Sequence, residues 1–105
     1  MNFKKPTYEA PRFIFGTRTR AEEFVIDALD QLELYGVISA ADMLDLAGKW
    51  PGSDDYDYGW TSLKNAHIVR AEKQNGYEII LPRPILIEPY RSHNKPIPKE
   101  TETMK

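Results

Sequence analysis

The sequence predicts a single α+β domain, and three observations carry that prediction. An acidic stretch in the first half places apolar residues at helical spacing. In the second half, two β-favouring runs flank Asn75-Gly76, the strongest short-range hairpin signal. Both ends are rich in proline and basic side chains, as in extended arms, which places arms at residues 1–16 and 89–105 around a domain over 17–88. The two halves meet at Asp54-Asp55-Tyr56-Asp57-Tyr58-Gly59-Trp60-Thr61-Ser62-Leu63, where three carboxylates and three large aromatics follow neither a helical nor a strand period. Carboxylates favour water while Trp and Tyr favour burial. The segment is therefore expected to run along the surface, rings inward and acids outward.

Composition bounds the rest. A chain of 105 residues suits one core rather than two. At 41% apolar and 29% charged it reads as soluble. Without cysteine there are no disulfides, thiolate metal sites or cysteine nucleophiles, and a reducing compartment is favoured. No apolar run reaches the ~18 residues of a membrane span, and no apolar h-region follows the N-terminal lysines, so a cytoplasmic protein is expected. The net charge of −2 hides a division. Residues 1–20 set five basic side chains against Glu9, residues 21–58 set ten acids against Lys49, and residues 59–105 set eight basic against five acidic. An acidic centre with basic ends differs from the single basic face of a nucleic-acid binder.

Along the chain, Pro6, Pro11 and Gly16 interrupt residues 1–16, yet Phe3, Tyr8, Phe13 and Phe15 are too apolar for a solvated tail. Phe13-Ile14-Phe15 is expected to dock on the domain, or on another subunit in self-association. Thr19-Arg20-Ala21-Glu22 forms a capping-box pattern. From it a helix over 20–35 would turn Ala21, Phe24, Val25, Ala28, Leu29 and Leu32 inward, with Gly36 as its stop. Val37-Ile38 suits a short strand. Ser39-Ala40-Ala41-Asp42 caps a second helix over 40–47 that turns Met43 and Leu44 inward and ends at Gly48. Residues 49–58 read as loop, with a short helical turn from Gly59 or Thr61 through Ala66. Strands over 67–72 and 77–81 would join through a two-residue Asn75-Gly76 turn, setting Lys73 opposite Glu78. Ile85-Leu86-Ile87 suits a brief edge pairing, and a flexible tail follows from Pro89. Helix, strand, helix, short helix and hairpin is the order of a winged-helix domain, an order that by itself says little of function.

A winged helix that reads DNA needs basic or amide side chains on its third helix. Here only Lys64 and Asn65 qualify, after three aspartates that repel phosphate. Nucleic acid would then meet Lys64, Arg70, Lys73 and Arg83 through backbone contacts, helped by Lys4, Lys5, Arg12, Arg18 and Arg20. Asp54, Asp55 and Asp57 offer oxygen ligands but lack the spacing of a calcium loop. His67 and His93 have no nucleophile beside them in sequence, and no glycine-rich phosphate loop is present. No cofactor, metal or catalytic residue is expected.

Three stretches together resemble a known group: Ala41-Asp42-Met43-Leu44-Asp45-Leu46-Ala47-Gly48, Tyr58-Gly59-Trp60-Thr61-Ser62-Leu63, and Gly76-Tyr77-Glu78-Ile79-Ile80-Leu81-Pro82-Arg83-Pro84. They resemble small phage and prophage proteins of unassigned function that share an acidic helix, a Tyr-Gly-Trp-Thr turn and a hairpin ending in Leu-Pro. The resemblance covers residues 20–87 and implies a phage-type accessory protein, without catalytic or binding residues to carry over.

Trp60, and with it Tyr58, is expected to close the small core, leaving Trp50 and Tyr56 as exposed anchors for a protein partner. With Glu23, Asp27, Asp30, Asp54, Asp55 and Asp57 they would face a basic host protein, such as a nucleic-acid-handling defence enzyme inhibited through the acidic face. The alternatives are a nucleic-acid-binding regulator and a structural component of a phage particle, the latter placing the protein in the virion.

Overall fold

The computed structural model describes residues 8–87. The expected tail from Pro89 and the start of the N-terminal arm, with Phe3, Lys4 and Lys5, lie outside the described residues. The elements run β1 (Ile14–Phe15), α1 (Arg18–Tyr35), β2 (Ile38–Ser39), α2 (Ala40–Leu46), a 3₁₀ turn (Ser53–Tyr56), β3 (Tyr58–Trp60), β4 (His67–Arg70), β5 (Tyr77–Ile80) and β6 (Ile85–Leu86). They build a small α+β domain with two antiparallel three-stranded sheets, ordered β1-β5-β4 and β2-β3-β6. No helix of the described residues is long and apolar enough to cross a membrane.

α1 starts earlier than its capping pattern suggested. Thr17, not Thr19, is the N-cap, its side chain accepting from the Arg20 amide at 3.1 Å. β1 ends at Phe15, so the chain must turn at once, and Thr17 is the first hydroxyl that meets the free amides of the opening turn. At the other end Gly36 adopts a left-handed φ of 78° and returns its amide to the Leu32 carbonyl, the expected stop. The buried stripe is narrower than the apolar pattern: Ala21, Phe24 and Ala28 are buried, while Leu29 is 45% exposed. Leu29 lies one residue past Ala28, about 100° further round the helix, and so leaves the stripe.

α2 follows the sequence closely. Ser39 Oγ accepts from the Asp42 amide at 2.9 Å and Asp42 Oδ2 accepts from the Ser39 amide at 3.1 Å, completing the capping box. Met43 and Leu44 are buried against α1 and β3.

The second half departs from the winged-helix order. Where a loop and a third helical turn were expected, Ser53–Tyr56 form a 3₁₀ turn and Tyr58–Trp60 form the central strand of a sheet. Residues 61–66 contain no helix. The Ala66 amide bonds to the Leu63 carbonyl at 3.0 Å and Asn65 takes a φ of 73°. A left-handed residue at that point closes a single turn and prevents a helix from continuing. β3 exists because Gly59 lets β2 approach: a Cβ there would sit 2.1 Å from the Ile38 carbonyl oxygen.

The hairpin forms in a different register. Arg70 pairs with Tyr77 and Val69 with Glu78, and the Ala71 amide donates to the Gly76 carbonyl, leaving residues 72–75 as the loop. Lys73 is therefore not opposite Glu78. Gly76 serves another purpose than the two-residue turn, since a Cβ on it would meet the Phe15 carbonyl at 2.6 Å. It admits β1 to the sheet. The arm docks as expected, with Phe13 buried and its carbonyl accepting from the Ile79 amide at 3.0 Å. Phe13 and Phe15 pack on Phe24 at ring-centroid distances of 4.9 and 5.1 Å.

Candidate partner-binding surface

The two tryptophans have opposite fates. Trp60 lies 2% exposed in the core and its Nε1 donates to the Pro82 carbonyl at 2.7 Å. Trp50, ten residues earlier in the segment that leaves α2, is 94% exposed. Gly48 has a φ of 77° and the Lys49 amide bonds back to the Leu44 carbonyl at 2.8 Å, so the helix end is tied down just before Trp50 projects. Tyr56 is exposed as well, at 50%.

The three aspartates of the turn are not equivalent. Asp54 and Asp57 are exposed, whereas Asp55 is half-buried. Asp55 Oδ2 accepts from the Gly52 amide at 2.8 Å, and its Oδ1 accepts from the Tyr8 hydroxyl. The Tyr8 ring stacks on Tyr58 with centroids 4.3 Å apart and planes 6° from parallel. Burial first, then the hydrogen bond and the charge of Asp55, drives the Tyr8 phenol far above the ordinary tyrosine range. Asp55 thus anchors the arm through Tyr8, whereas Asp54 and Asp57 face water. Glu23, Asp27 and Asp30 are exposed on α1, spaced four and three residues apart and so on one side of the helix.

Between α1 and the turn lies a cleft of about 230 Å³ lined by Gln31, Tyr35, Val37, Ser39, Asp42, Tyr56 and Ile87. It sets the flank of α1 carrying Asp27 beside the acidic turn. Gln31 and Tyr35 are one helical turn apart, and Gln31 follows Asp27 by the same spacing. Sequence reading missed Gln31 and Tyr35. Their one advance signal was that spacing on a helix flank; Tyr56 and Ile87 join them only through the fold.

The basic residues weighed for nucleic acid are dispersed. Arg70 and Lys73 line an outer concavity of about 580 Å³ together with Arg12, Glu72 and Glu78. Arg12 is engaged there with Glu78 through bonds of 2.9 and 2.8 Å, which hold the Glu78 carboxyl below its ordinary range. Arg70 also leans over the Tyr77 ring, 5.5 Å from its centroid, with Arg18 at 5.9 Å. Arg83 lies in a shallower depression beside Pro82 and Pro84, and Lys64 sits in the 63–66 turn and lines neither. His67 is exposed, its Nδ1 donating to the Asn65 carbonyl at 2.9 Å within its own turn. Among the described residues no group of three or more His, Cys, Asp or Glu side chains is placed to hold a metal ion.

Comparison with protein-family models, curated proteins and solved structures finds no match to this chain.

Proposed function

We propose that the chain is a non-catalytic accessory protein of phage or prophage type that binds a basic surface of a host protein through Trp50 and the exposed acids of the turn and α1. The observation that carries this reading is Trp50 at 94% exposure. An indole buries roughly 150–250 Å² when it leaves water, and tryptophan is among the residues that most often dominate interface energetics. Exposed Asp54 and Asp57 on the turn, with Glu23, Asp27 and Asp30 on α1, select a partner of positive charge. A nucleic-acid-handling defence enzyme meets that description, because its nucleic-acid groove is basic. The host cytoplasm is then the place of action.

Quantified capture from host lysate tests the reading. Trp50→Ala, and separately the charge reversal of Asp30, Asp54 and Asp57 to lysine, should each lower capture of the wild-type partner at least about tenfold. Undiminished capture by both variants would sink it.

The alternative is a winged-helix-like regulator that contacts nucleic-acid backbone. The outer concavity favours it by placing Arg70 and Lys73 on one face. It has less support, because a turn stands where the base-reading helix would lie and Arg12 is committed to Glu78. A salt-sensitive gel shift abolished by alanine at Arg70, Lys73 and Arg83 would reverse that order. Assembly into a particle through the N-terminal arm is weaker still, since Phe13 and Phe15 pack within their own domain.

A further inference from the structure

We infer that the cleft between α1 and the acidic turn receives an arginine side chain of the basic partner, an inference that rests on the binding role proposed above. The cleft combines an apolar base with two acceptors that take no donor from the described residues. Val37 and Ile87 are 5% and 0% exposed and line it with hydrocarbon. Gln31 Oε1 is buried and has no hydrogen-bond partner among the described residues. A buried acceptor in that condition is uncommon in a folded protein and calls for a donor. Asp42 uses Oδ2 to cap α2, while its Oδ1 takes no donor from the described residues. The fitting guest therefore has an apolar shaft and a head that only donates.

Lysine and arginine both satisfy that requirement. Arginine satisfies it better. Its planar fork presents several N–H groups at fixed angles to two separated acceptors, the amide oxygen of Gln31 and the carboxylate of Asp42, and its flat face stacks on a ring such as Tyr35. Lysine offers a compact, strongly hydrated charge to the same walls. A volume of about 230 Å³ admits a single side chain rather than an element of secondary structure. Asp27, one turn before Gln31, adds negative charge along the approach, favouring a cation over a neutral amide.

The test is titration of the isotopically labelled full chain with N-acetyl-arginine methylamide, followed by NMR. The same compound made from citrulline, of like shape without the charge, and from lysine are the comparisons. Arginine should shift the Gln31 side-chain amide and the Ser39 and Asp42 backbone amides saturably. Citrulline should bind about tenfold more weakly and lysine severalfold more weakly. Gln31→Met keeps the shaft and removes the acceptor, and should weaken arginine binding about fivefold or more at an unchanged melting temperature. Equal binding of citrulline, tighter binding of lysine, shifts confined to other residues, or wild-type affinity in Gln31→Met would each overturn the inference. Loss of arginine binding alone leaves the Trp50-dependent capture standing. Loss of that capture with arginine still bound removes the surface and keeps the cleft.

Discussion

Trp50 and Trp60 stand ten residues apart in sequence and at 94% and 2% exposure, so replacing each with alanine separates contact from stability in one fold. Trp60→Ala deletes a core side chain packed among Ile38, Met43 and Ile79, which typically costs about 3–5 kcal/mol. It also leaves the Pro82 carbonyl without its indole donor, adding about 1 kcal/mol. Set against a total stability of roughly 5–15 kcal/mol, that removes about a quarter or more of the margin. Trp50→Ala removes a ring that already lies in water and should change stability by no more than about 0.5 kcal/mol. Urea unfolding followed by far-UV circular dichroism measures both, and an unchanged slope confirms that the same surface is exposed in each variant. In the wild type, acrylamide should quench one tryptophan readily and leave the other protected. A loss above roughly 1 kcal/mol for Trp50→Ala, or below roughly 1 kcal/mol for Trp60→Ala, would refute the assignment of one ring to the surface and the other to the core.

Three further outcomes follow from the packing. Gly59→Ala places a Cβ 2.1 Å from the Ile38 carbonyl oxygen, so β2 and β3 must separate; a loss of about 3 kcal/mol, the upper end for overpacking, is expected in the same urea assay, and an unchanged midpoint would contradict the close approach. Glu78 titrates below its ordinary value of 4.5 because Arg12 bonds it, so its stabilisation is present above that value and is lost as pH falls through the lower folded one. Melting temperatures of wild type and Arg12→Met should therefore differ at neutral pH and converge on acidification, and a gap that persists at low pH would rule out the ion pair as its source. The Tyr8 phenol is raised above its ordinary value of 10.0, so its contribution holds below that value and disappears as pH rises through the higher folded one; absorbance titration should show a late ionisation above that value, and Tyr8→Phe should abolish it.

The parts of the fold legible in the sequence are those that rest on short-range chemistry. Gly36 as a left-handed stop, the Ser39–Asp42 capping box and the docking of Phe13-Ile14-Phe15 all depend on neighbours within a few residues or on plain apolar content. The brief pairing of Ile85–Leu86 and the exposure of Trp50 and Tyr56 belong with them. β3 was hidden because Tyr58-Gly59-Trp60 is too short to show alternation, and its glycine resembles a loop signal although it serves close packing. The hairpin register was misread for a related reason: Gly76 answers to β1, a strand more than 60 residues earlier, rather than to Asn75. The role of Asp55 was equally out of reach, because its partner Tyr8 is 47 residues away. Among the charged residues, type and spacing marked the acidic surface, but only the fold shows that Asp55 faces the arm while Asp54 and Asp57 face water.

The described chain begins and ends at the same place. Tyr8 is fastened to Asp55 and Tyr58, while Ile87 donates its amide to the Asp57 carbonyl at 2.9 Å. Anything joined to the polypeptide ahead of Tyr8 or after Ile87 is consequently tethered to the rim of the acidic turn. A carrier protein fused directly ahead of Tyr8 or directly after Ile87 would crowd that region, and a chip coupled at either point would present the molecule with this side toward the matrix. A fluorophore placed internally, on the exposed loop at residues 72–75 beyond β4, avoids both effects.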